Sequence, residues 1–188
     1  MTRVLLLLSL GGICLTLGPA GQAQPGPTES WQTKLSRRTA AFGHRNWVVV
    51  ADSAYPDQTR PGIETVVTGE DHLVVLKRVL EVLADRKHIK PVVHLDAELV
   101  FVPEADAPGI GKLRDAITEQ LSAHKRNALA HEQIIDKLDK AGDKFHVLVL
   151  KTTARLPYTS VFLELDCGYW SPEAEQRLRD AMKKAAGK

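Results

Sequence analysis

The chain has 188 residues, 44% hydrophobic and 26% charged, with 25 Lys and Arg against 23 Asp and Glu. A formal net charge of +2 is too small for the basic stripe of a nucleic-acid binder, and it gives no reason to expect an anionic membrane surface as partner. The composition is that of an ordinary globular protein.

Met1–Arg3 is a short basic start, Val4–Leu17 a leucine-rich stretch, and Gly21-Gln22-Ala23 a small-residue ending. This order predicts a secretory signal peptide over 1–23. The apolar stretch is 14 residues long, short of the roughly 20 that a membrane-spanning helix needs. The expectation is an exported protein, periplasmic or secreted, without membrane insertion after processing. Removing 1–23 leaves 165 residues with 24 basic and 23 acidic groups, the size of a single domain. Cys14 leaves with the signal, so Cys167 has no intramolecular partner. Ile13 directly before Cys14 is a poor match to a lipoprotein cleavage site.

Residues 24–30 are rich in Pro and Gly and read as a flexible leader. From Trp31 the spacing of Trp31, Leu35 and Phe42 predicts a helix, stopped at Gly43. Trp47–Ala51 is an unbroken apolar run, the pattern of a strand buried on both faces. Asp57–Thr68, with Pro61-Gly62, reads as a long loop or short irregular element. Glu70 and Asp71 open an amphipathic helix with Leu73, Leu76, Leu80 and Leu83 on one stripe. Pro91–Leu95 is a second apolar run and Leu99–Val102 a third.

Ile110–Ala123 reads as another helix, Glu132–Lys140 as a short one, and His146–Leu150 and Val161–Leu165 as strands. Ser171-Pro172 starts a polar terminal helix that runs to about Ala186. Strands alternating with amphipathic helices predict a single three-layer α/β domain over 31–170, its sheet mostly parallel or mixed and flanked by helices. Residues 171–188 are an added C-terminal helix.

Most catalytic signatures are absent: no Gly-x-Ser-x-Gly elbow, no His-Glu-x-x-His, no Cys pair for zinc. Gly109-Ile110-Gly111 lacks the third glycine and the Lys-Ser/Thr of a phosphate loop, and reads as a turn before a helix. Glu164 and Asp166 share one face of a strand, as a glycosidase acid pair or, more simply, as two solvated acids on an edge. His94 and Asp96 are a spaced pair near a strand end and are candidate ligands for a metal-dependent hydrolase, although the local sequence offers no third partner. His72, His88 and His124 read as surface residues and His146 as structural.

One segment stands apart, Gly43-His44-Arg45-Asn46 leading into Trp47–Ala51 and out to Asp52 and Pro56. An Asp at the carboxyl end of a buried strand lies where ligands bind open α/β sheets. The alternative is that His44 caps a helix and Asp52 starts a turn.

The segment resembles the ribose pyranase / fucose mutarotase family, whose early motif is Gly-His, an acid or amide two residues on, an apolar strand, then Asp and a nearby Pro. His131-Glu132-Gln133 is similar to the family's His-Glu-Gln, and Pro157-Tyr158-Thr159-Ser160 before Val161–Leu163 to its Pro-Tyr-x-Asn and strand. These matches run in order from about Trp31 to Leu165. The resemblance implies interconversion of sugar anomers or ring forms, with no metal and no organic cofactor. It implies His44 as general acid, and Asp52, His131, Tyr158 and the residue at Ser160 as sugar ligands. It further implies a homo-oligomer with sites between subunits. A non-catalytic sugar-binding or structural relative is the alternative. Ser160 departs from the family's Asn, replacing an amide with a single hydroxyl. The terminal helix and the export signal are two further departures.

Overall fold

The computed structural model describes residues 29–187. Segment 1–23, read from the sequence as a signal peptide, and most of the stretch read as a leader lie outside the described residues. In chain order the elements are α1 (Trp31–Ala41), β1 (Trp47–Ala51), β2 (Ile63–Val67), α2 (His72–Ala84), β3 (Ile89–Asp96), α3 (Ile110–Gln120), β4 (Arg126–Leu129), α4 (His131–Gly142), β5 (Val147–Lys151), β6 (Val161–Cys167) and α5 (Pro172–Ala186). A short 3-10 turn spans Ala97–Phe101.

The strands form one six-stranded mixed sheet in the order β2-β5-β1-β6-β3-β4. β1 and β2 both run parallel to β5, and β3 runs parallel to β4. β6 lies between β1 and β3 and is antiparallel to both. The carboxyl ends of β1, β3, β4 and β5 therefore share one edge of the sheet with the start of β6. The chain leaves β1 toward one side of the sheet and β3 toward the other, so a switch point falls between them.

Every residue of β1 is buried, which explains its unbroken apolar run. Val48 and Val50 face a core shared with Leu35 of α1, Leu76 and Val79 of α2 and Ile117 of α3. Trp47 and Val49 face the opposite way, against Ile134, Leu138 and Ala141 of α4. Helices cover both faces, so the domain has three layers, and burial of each such Val or Leu contributes roughly 1.5–3 kcal/mol. Capping sets the helix starts: Ser30 accepts from the Thr33 N–H at 3.2 Å and Asp71 from the Leu73 N–H at 2.9 Å.

Several expectations from the sequence need correction. The segment read as a loop contains β2, whose entry is fixed by Gly62. The Gly62 N–H donates to the Gly142 carbonyl at 3.0 Å, and a Cβ there would run into the carbonyls of Gly142 and Phe145. Leu99–Val102 is not a strand: Leu99 turns off the sheet in the 3-10 turn and packs on Ala107 and Ile110. β4 carries no apolar run because it is an edge strand with an alternating, half-exposed pattern. β6 is interior, so Glu164 and Asp166 are not edge acids. His72 is not a surface residue but is 1% exposed.

Candidate functional site

The β1–β6 register, continued by one residue, places Ser160 beside Ala51, and the β3–β6 register places it beside Asp96. Asp52, the residue after Ala51, and Asp96, the last residue of β3, thus flank the start of β6 at the switch point. In open α/β sheets that is where ligands bind. A cleft of about 460 Å³ opens here, lined by Asp52, Tyr55, Gln58, His131, Glu132 and Tyr158 among others. That volume suits a small molecule.

Each side chain is held by a local device. Asp52 accepts from the Ala54 N–H at 2.8 Å through Oδ1 and from the Ser160 hydroxyl at 3.0 Å through Oδ2. The Asp52 N–H in turn donates to Ser160 Oγ at 3.3 Å. A carboxylate has about four lone-pair sites, so Asp52 keeps acceptor capacity for a ligand hydroxyl. Ser160 is buried, and its hydroxyl is engaged with Asp52, so it supports that carboxylate from behind rather than facing the cleft. Tyr158 sits at φ 58°, the left-handed region that a bulky residue rarely adopts. The Thr159 hydroxyl donates to the Leu156 carbonyl at 2.8 Å and closes the turn that presents it.

His131 opens α4. The residue before it, Ala130, has no side chain to cap the helix, and Glu98 of the 3-10 turn caps it instead. The His131 N–H donates to Glu98 Oε1 at 3.0 Å and Oε2 at 3.1 Å, which holds the Glu98 carboxyl below its usual range. The ring lies edge-on to Tyr158, centroids 5.7 Å apart, and its Nδ1 is 3.0 Å from Asp96 Oδ1. Asp96 is 3% exposed, and burial, with Glu98 and Asp52 nearby, pushes its carboxyl up to about 6 despite the His131 contact. Tyr55 is buried too, which raises its phenol above the ordinary value, and Gln58 donates to its hydroxyl at 3.3 Å.

The fold thus gathers Asp52, His131 and Tyr158 on one cleft, with Ser160 behind it, and does not bring His44 there. His44 is exposed in the turn before β1, at the opposite edge of the sheet from Asp52. The five residues of β1 alone separate the two by roughly 16 Å at the ordinary strand rise. A second hollow, about 370 Å³, lies at that opposite edge, around Arg45, Trp47, Lys137, Lys144 and Glu164.

His94 and Asp96 do not act as a pair. His94 stacks on Trp47 and its Nε2 donates to Glu164 Oε2 at 3.0 Å, while Asp96 turns to His131. With Lys137, that bond keeps the Glu164 carboxyl low. The described residues contain no group of three or more His, Cys, Asp or Glu placed to hold a metal ion. At Gly109 and Gly111 the N–H groups donate to Glu104, so a carboxylate of the chain occupies the position a phosphate would take.

Sequence reasoning missed Asp96 and Glu98 as the residues that hold His131 from behind the cleft. The available signal was the place of Asp96, the last residue of β3, at the same edge of the sheet as Asp52.

No family model matches the sequence, and no curated protein matches it. Solved structures do. The structure of Bacillus subtilis RbsD complexed with D-ribose matches with a TM-score of 0.50 at 19% identity, covering 77% of this chain and 98% of that one. The fucose mutarotase from Streptococcus pneumoniae, in complex with L-fucose, matches with a TM-score of 0.50 at 15% identity, covering 71% of this chain and 91% of that one. The chain therefore has the fold to which its motifs point, and α5 is outside the resemblance drawn from them.

Proposed function

We propose that the protein binds a monosaccharide in the Asp52–His131–Tyr158 cleft and accelerates its mutarotation or ring isomerisation. The observation that carries the reading is the convergence of these three residues, widely spaced in sequence, at the carboxyl edge of a sheet. Two solved proteins of the same fold hold D-ribose and L-fucose, which agrees with a small polyol as ligand.

Ring opening moves two protons. One leaves the anomeric hydroxyl as its O–H pair forms the C1=O1 bond. The C1–O5 bond breaks with its pair on the ring oxygen, which takes the other proton. Histidine suits both transfers because its ordinary pKa lies near neutrality. Asp52 accepts sugar hydroxyls and Tyr158 offers an aromatic wall with a polar tip. His44, as general acid, reaches this cleft only from another copy of the chain, so the reading includes a homo-oligomer. It also includes export, with the N-terminus of the exported protein at Gln24.

The test is magnetisation exchange between sugar anomers, followed by NMR on the exported protein with ribose, fucose, galactose and glucose. Exchange faster than the buffer rate is expected for at least one sugar, with a loss on the order of 100-fold in His44→Ala. No acceleration for any of the four would remove the enzyme reading. Saturable binding without acceleration would favour a sugar-binding relative.

A further inference from the structure

Resting on that reading, we propose that Asp96 is a positioning residue. It fixes the tautomer and aim of the His131 ring, so that Nε2 faces the cleft as a base for the anomeric hydroxyl.

The geometry leaves the ring little freedom. Two bonds from the His131 N–H to Glu98 anchor its backbone, Tyr158 stands edge-on at 83°, and Asp96 Oδ1 meets Nδ1 at 3.0 Å. An ionised carboxylate can only accept, so the proton sits on Nδ1 and the Nε2 lone pair is left bare. Among the described residues Nε2 has no hydrogen-bond partner, and His131 lines the cleft.

The placement of Asp96 is costly for stability. It is 3% exposed, and its Oδ2 has no partner among the described residues. Burying a carboxylate with one oxygen unsatisfied opposes folding, and an apolar or amide residue of similar size would be tolerated better. Nor is Asp96 needed to start α4, since Glu98 already caps that helix. A carboxylate kept there at a cost, aimed at the one imidazole in the cleft, fits the arrangement in which an acid orients a catalytic histidine.

The chemistry balances with His131 neutral at the outset. Nε2 takes the O1 proton, C1=O1 forms, C1–O5 breaks, and O5 receives its proton from the general acid, His44 of another copy. Asp96 stays ionised throughout and stabilises the imidazolium while it lasts. Closure on the other carbonyl face returns both protons and leaves C1 inverted.

Imidazole ¹⁵N shifts of the unliganded protein read the tautomer directly. The wild type should show the Nδ1–H form of His131, and Asp96→Asn should shift it to the Nε2–H form or a mixture. If wild type accelerates exchange, Asp96→Asn should lower kcat on the order of 100-fold with KM little changed. An Nε2–H ring in the wild type overturns the proposal, and this measurement needs no variant to fold. A tautomer or a kcat unmoved in Asp96→Asn overturns it as well. An Nδ1–H ring that depends on Asp96, in a protein that accelerates no sugar, overturns the mutarotase reading and supports the Asp96–His131 assignment.

Discussion

Both hydrogen bonds of the Ser160 hydroxyl go to one residue, Asp52, and this changes what the departure from Asn means. A serine facing the sugar would be a weakened ligand, whereas a serine behind the carboxylate sets the aim of a ligand. Ser160→Ala leaves the Asp52 N–H and one carboxylate bond unmet, in a part-buried site. The expected cost is about 1–3 kcal/mol of stability. Because Asp52 then turns more freely, the proposed function predicts that KM for the sugar rises while kcat stays near wild type. A urea denaturation midpoint and the exchange rate against sugar concentration measure the two effects. An unchanged midpoint would mean that the Ser160–Asp52 pair contributes nothing.

At the scale of elements, α4 and α5 make opposite predictions although both are amphipathic. α4 packs its Ile134, Leu138 and Ala141 on the face of the sheet formed by Trp47, Val49, Val147 and Phe162. Leu138→Ala should therefore cost about 2–5 kcal/mol, the range for a large core side chain truncated to leave a cavity. α5 has no buried residue, and Leu178 and Met182 are exposed along it. Its start is held by its own N-cap, Ser171, which accepts from the Ala174 N–H at 3.1 Å. Ending the chain at Ser171 should leave the thermal midpoint within a few degrees of wild type, whereas a drop as large as that of Leu138→Ala would show that α5 packs on the domain. The same contrast explains what the sequence could reveal. β1 and β5 were legible because burial on both faces demands unbroken apolar runs, and β6 through the buried start Val161–Leu163. β2 and β4 were not, because edge strands need fewer apolar residues and Pro61-Gly62 disguised the start of β2. Asp52 was legible at the end of an apolar run. Asp96 was seen only beside His94, since nothing in the local pattern reveals that α4 brings His131 across from 35 residues away.

For the molecule as a whole, two buried groups on different elements oppose each other in acid. His72, at the start of α2, is 1% exposed, with Nδ1 3.1 Å from the Thr152 hydroxyl. Burial pushes its pKa down to about 4, although Asp71 and Asp52 pull the other way. The unfolded chain takes up that proton near 6.5, so the stability His72 contributes is complete above about 6.5 and is lost as pH falls toward 4. Asp96 has the reverse sign. Its carboxyl is raised to about 6, so the folded state holds a proton that the unfolded state releases near 3.9, and stability is lost as pH rises from about 4 to about 6. Each group is worth on the order of 3 kcal/mol, and the two slopes nearly cancel between pH 4 and 6. Carboxylates held low by partners, such as Glu64 beside Lys34 and Glu164 beside His94, add their losses only at the acid end. Stability against pH should therefore be shallow for wild type across this window. Asp96→Asn should expose the His72 slope, with a loss on the order of 3 kcal/mol on acidification from 6.5 to 4, while His72→Gln should expose the opposite slope. Denaturant unfolding of the three proteins at pH 4, 5, 6 and 7 measures this directly. Three parallel profiles would show that neither group titrates differently in the folded chain, and would remove the argument that Asp96 is held in the site at the expense of the fold.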